Sequence, residues 1–163
     1  MGLFMLILAL LGAAIHIIFL KNKSAGKIAE VILLYLLFVA VGLGTFLAGL
    51  MHVFNGPATA KLIGWEPGSP FQAEVGYADI AFGLLGIFCL FIRGNFWLAT
   101  IVANSAFLFL CMAGHIYSLA KNGNNAVYNI GPNTVIADVI IPIVLILLYV
   151  LISFMEKKKA IID

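Results

Sequence analysis

A chain of 163 residues that is 64% hydrophobic and only 10% charged does not behave as a water-soluble domain. Soluble domains carry about 25% charged residues, and a domain this small leaves much of its surface exposed. Mean hydropathy is +1.16 and net charge +2, which excludes a basic nucleic-acid face and makes the lipid bilayer the solvent. The polar stretches are too short for a second unit, so 1–163 reads as a single transmembrane domain of the all-α class.

A spanning helix needs about 20 mostly apolar residues. Five stretches meet that length: 2–20, 31–54, 71–92, 96–120 and 134–154. The first lacks the basic start and small-residue cleavage site of a signal peptide, so it reads as a retained span. Asn55-Gly56-Pro57 stops the second, and Pro57 to Trp65 is expected to form a short interfacial helix with Trp65 at headgroup level. Ser69-Pro70-Phe71-Gln72 reads as a capping box opening the third. Asn122-Gly123 stops the fourth, and Asn133 is the expected N-cap of the fifth. Cys89 and Cys111 both lie within apolar runs at different depths and read as buried, unpaired thiols.

Basic residues orient the chain. Lys21, Lys23, Lys27, Arg93, Lys157, Lys158 and Lys159 share one side of a five-span topology, against Lys61 and Lys121 on the other. The expected arrangement is a plasma-membrane protein with its N-terminus outside and its C-terminus in the cytoplasm.

Ionisable side chains at membrane depth cost about 2.5–3.5 kcal/mol each on insertion scales, so each needs a reason. Glu74 and Asp138 both fall about 7–8 Å inside the ends of their helices by helical rise. His52 and His115 lie on the two helices that end at the same side. Two imidazoles and two carboxylates from four helices thus fall in one layer under the outer surface. Asn104, Cys111 and His115 share a helix face, and Thr45, Gly49 and His52 share another. Gly76, Asp79, Gly83 and Gly86 form a small-residue stripe suited to close helix approach. Asp79, Asn104 and Tyr77 are candidates for polar support or proton relay. Spacing leaves open whether Glu74 and Asp79 both face inward. His16 lies away from the layer and reads as a packing or interfacial residue. Each of these polar groups also has a plainer reading as a paired structural residue.

The stretch 64–93, GWEPGSPFQAEVGYADIAFGLLGIFCLFIR, carries a helix-initial Glu74, the run Gly83-Leu84-Leu85-Gly86 and Arg93 at a tight turn. With the late-helix His115, it resembles the DoxX-like family of small membrane proteins over 64–119. The resemblance implies a four-helix bundle with one added span, the first. It also implies a tie to thiol or quinone redox chemistry known for some relatives.

Three functions stay open on the sequence. His52, Glu74, His115 and Asp138 suit a transition metal, or His52 and His115 haem axial ligands, for redox or hydrolytic chemistry. Without a metal, the same layer suits a proton- or ligand-binding pocket. A structural subunit of a homo-oligomer or membrane complex is the third, its polar groups joining helices. The bilayer is the expected partner throughout, and nucleic acid is not one. The Asn/Gly-rich 121–133 reads either as a lid or as an ordinary exposed turn.

Overall fold

The computed structural model describes residues 1–162, with side chains through Lys158, so Lys159 lies outside the described side chains. Among the described residues the chain is all helical. Five of its helices are long and apolar enough to cross a membrane, which makes this an all-α membrane protein. The helices are α1 (Gly2–Phe19), α2 (Ala25–Phe54), α3 (Gly56–Ile63), α4 (Phe71–Phe88), α5 (Asn95–Asn122), α6 (Val127–Ile130) and α7, which runs over 132–162. The long ones alternate in direction. Met1, Asn55, Phe71, Asn122 and Asn133 therefore lie towards one end of the bundle, and the basic turns lie towards the other.

α2 is the central helix. It buries 56% of its apolar window, against 17% for α1 and 22% for α4. Leu33, Leu36, Leu37 and Val41 pack there with Met5, Ala9, Ile101 and Leu145. Within α2, Leu36–Thr45 winds as a π-helix, and Ile136–Ile140 does so within α7. Such turns are rare and tend to mark functional sites. Here both contribute residues to the same cavity.

α2 and α4 meet through the glycines of the stripe. A Cβ at Gly49 would lie 2.6 Å from the Gly76 carbonyl oxygen, and one at Gly83 would lie 2.6 Å from the Phe46 backbone nitrogen. In lipid, where chain burial gives little drive, such backbone contact is what holds helices together. Gly83→Leu should therefore destabilise the detergent-solubilised protein by about 1–3 kcal/mol, the usual cost of overpacking. A thermal melt unchanged from wild type would refute the close contact.

Several helix ends differ from the sequence expectation, each for a local reason. No side-chain cap forms at α4, because the Gln72 amide is engaged by His52 instead. Asn133 does not cap α7, whose N-cap is Gly131 with Pro132 in the first turn. The Asn133 Oδ1 instead accepts from the Leu3 N–H at 3.3 Å, meeting an orphan donor of α1. α4 ends at Phe88 rather than running to 92. There Trp97 Nε1 donates to the Cys89 carbonyl at 2.9 Å, diverting it from the helix ladder. α2 starts at Ala25, early enough to hold the Lys27–Glu30 pair at 2.6 Å. Arg93 joins Glu30 and lies 5.2 Å over the Trp97 ring, tying the first basic turn to the third. His16 packs edge-on against Tyr35, with 5.7 Å between ring centres. Both cysteines are free thiols.

Candidate functional site

Between the helices, towards the Met1 end, lies a cavity of about 540 Å³. Its size falls within the range of small-molecule sites, about 300–1,000 Å³. Met5, Val41, Phe107, Leu108 and Ile141 make its walls apolar, and the two π turns supply Gly44, Thr45, Ala137 and Asp138. α3 and α6 border its end through Leu62, Ile63 and Tyr128, with Trp65 beside them. Met51 and Leu62 are exposed as well as lining the cavity, so an edge of it reaches the lipid-facing surface.

Polar groups sit at three levels. His52 and His115 are nearest the end. His115 is held from three sides: it stacks on Trp65 with ring centres 5.7 Å apart, it bonds Asn129, and its Nε2 faces the Asp138 carboxylate at 3.8 Å. The Asn129 amide nitrogen donates to the His115 carbonyl at 3.1 Å and to the Asn124 carbonyl at 2.8 Å. That fixes the orientation of the amide, so Oδ1 accepts from His115 Nδ1 at 2.8 Å. Neutral His115 therefore carries its proton on Nδ1 and offers the Nε2 lone pair towards Asp138. His52 is the reverse case. Gln72 Nε2 donates to its Nδ1 at 2.7 Å, which leaves the His52 proton on Nε2.

Deeper lie Asp79, Asp138 and Cys111. Asp79 is 6% exposed and takes part in no ion pair among the described residues. The floor is Asn104. It is fully buried, and both its amide nitrogen and its carbonyl oxygen lack any hydrogen-bond partner. An unpaired buried polar group costs about 1–3 kcal/mol and calls for an explanation.

Of the candidates read from the sequence, His52, Asp79, Asn104, His115 and Asp138 line this cavity. Glu74 and Tyr77 do not line it: Glu74 is exposed, and Tyr77 is 60% exposed. The four-residue set of His52, Glu74, His115 and Asp138 is thus not gathered in one place. Among the described residues, no three His, Cys, Asp or Glu side chains converge as a metal would need. Asn129 and Gln72 were missed. Asn129 signals itself only by polarity beside a helix end, which most loop residues share, and Gln72 only by its capping-box spacing. Segment 121–133 contains α6 and sends Tyr128 and Asn133 to the cavity wall. Asn124 links it to α3 by donating to the Ile63 carbonyl at 2.9 Å.

Fold and site define a small polytopic α-helical membrane protein with a largely apolar cavity that holds a few buried polar side chains. The chain belongs to the family described as "Family of unknown function (DUF6790)", whose model matches residues 1–158. No curated protein and no solved structure matches it.

Proposed function

We propose that this protein binds a small amphiphilic molecule taken up from the membrane, without a metal or haem. The observation that carries the reading is the apolar cavity floored by Asn104, whose amide has no partner among the described residues. Such a site gains apolar burial along its walls and hydrogen bonds at a few fixed points. The Met51 and Leu62 edge is its route of entry from the lipid. The metal and haem versions have less support, because Glu74 stands apart and no three His, Cys, Asp or Glu side chains converge among the described residues.

The excess of Lys and Arg at the opposite end supports a cytoplasmic C-terminus, which turns the cavity end to the outer face of the plasma membrane. Kinship with DoxX-like proteins through 64–119 belongs to the same reading, and so does a homo-oligomeric or complexed state. Neither is required for binding.

Gly114 offers the test. It lines the cavity at an exposed edge, and a Cβ added there meets nothing within 4 Å, so Gly114→Trp has room to obstruct that edge of the cavity without pushing on a neighbouring helix. Native mass spectrometry of gently extracted wild type should show one bound small organic molecule per chain, lost in Gly114→Trp. Elemental analysis and an absorption spectrum should show no stoichiometric metal and no Soret band. A metal or haem in the wild type, or an empty wild-type cavity, would overturn the reading.

A further inference from the structure

The polar groups of the cavity have a one-sided chemistry. Two carboxyl groups, Asp79 and Asp138, line it, and no Lys or Arg does among the described residues. Asp138 faces the Nε2 of His115 at 3.8 Å. Among the described residues Asp79 has no ion-pair partner, although it is almost wholly buried. An ionised carboxylate away from water needs a cation or hydrogen-bond donors close by, and without them it keeps its proton. Among the described residues no side chain supplies either to Asp79, so a cationic group brought into the cavity would be the one to hold it ionised.

Asn104 adds a second requirement from an independent place. Both ends of its amide are unpartnered, so the group that meets it must donate to Oδ1 and accept from Nδ2. A hydroxyl does both. The Phe82 and Phe107 rings meet with centres 5.0 Å apart, which puts those two residues at one level of the antiparallel helices α4 and α5. Asp79 lies three residues from Phe82 towards the cavity end, and Asn104 three from Phe107 away from it. At 1.5 Å per residue the two stations are about 9 Å apart along the bundle. The wall between them is apolar, with Phe107, Leu108 and Ile141.

We infer that the ligand is an aliphatic amino alcohol: a protonated amine at Asp79, a hydroxyl at Asn104, and an alkyl segment between them. This rests on the amphiphile-binding reading and narrows it. Carboxylic acids are disfavoured, since they would bring a third carboxyl group to the two already there, with no Lys or Arg among the described lining residues.

The probes are ω-aminooctanol, octylamine, a terminal octanediol and ω-hydroxyoctanoate. Binding is measured on the full chain in nanodiscs and corrected for partition into protein-free discs. ω-Aminooctanol should bind about tenfold or more tighter than octylamine or the diol, one tenfold step for each lost polar group. Asp79→Asn should bring it down to the diol's affinity. Asn104→Leu should bring it down to octylamine's. Melting of each variant, taken alongside, separates lost binding from lost fold. If the diol or the hydroxy acid binds best, the amine assignment fails while the amphiphile reading stands. If octylamine equals ω-aminooctanol, the hydroxyl station at Asn104 fails. If no probe exceeds partition while wild type still carries a bound molecule, the amino alcohol class is wrong. If wild type carries none either, both readings fall.

Discussion

Asn129→Leu should be among the most damaging single substitutions in the chain, and its effect should reach His115 before it reaches the bundle. Asn129 is fully buried and bonds three groups: the Nδ1–H of His115 and the carbonyls of His115 and Asn124. Leucine has the same branched four-atom skeleton, with bulkier methyl ends, and supplies none of these partners. Each net hydrogen bond contributes about 1 kcal/mol, and each partner left buried and unpaired adds to the loss. A total near 3 kcal/mol is expected, or a melting temperature lower by about 6–12 °C for a chain of this size. Asn129 also fixes which ring nitrogen of His115 holds the proton. Without it, Nε2 can become the protonated atom and donate to Asp138. Nitrogen-15 NMR of labelled protein should show Nδ1–H in wild type and a mixture of tautomers in the variant. A variant with wild-type melting and an unchanged imidazole signal would show that Asn129 is a passenger in the loop.

The architecture was legible because its signals are local. Apolar runs of spanning length, Asn55-Gly56-Pro57 and Asn122-Gly123 each mark a helix or its end within a few residues, and the stripe Gly76, Gly83, Gly86 does face α2. The site was legible only where helical phase decides it. Asn104, Cys111 and His115 share a face because eleven residues make about three turns, and all three line the cavity. Glu74 and Asp79 are five residues apart, which puts them about 140° apart around the helix. One inward face cannot take both, and the glycine stripe turns Asp79 in and Glu74 out. Neither π turn announced itself in the sequence. Asn129 was out of reach for another reason, since its role depends on where a loop places its amide relative to His115. The same applies to Gln72, whose capping-box spacing was present while its side chain went to His52.

Asn104→Leu should do the opposite of most core substitutions: stabilise the empty protein while weakening its ligand binding. The amide of Asn104 has no partner on either atom and no exposure. Its replacement by an apolar side chain removes a desolvation cost of about 1–3 kcal/mol. The bulkier leucine can extend into the cavity that Asn104 lines. At about 2–4 °C per kcal/mol for a chain of this size, the unliganded variant should melt higher than unliganded wild type by several degrees. Saturating ligand should then stabilise wild type by mass action, about 2.7 kcal/mol at a hundredfold excess over Kd, and stabilise the variant far less. The lead of the variant should therefore shrink when ligand is added, by about 1.4 kcal/mol for a tenfold weaker affinity. A group kept at a stability cost in the empty state, and repaid only on binding, is a functional group rather than a packing residue. If the variant instead melts lower than wild type without ligand, Asn104 already has a partner in the empty cavity, most simply ordered water, and its orphaned amide no longer points to a ligand.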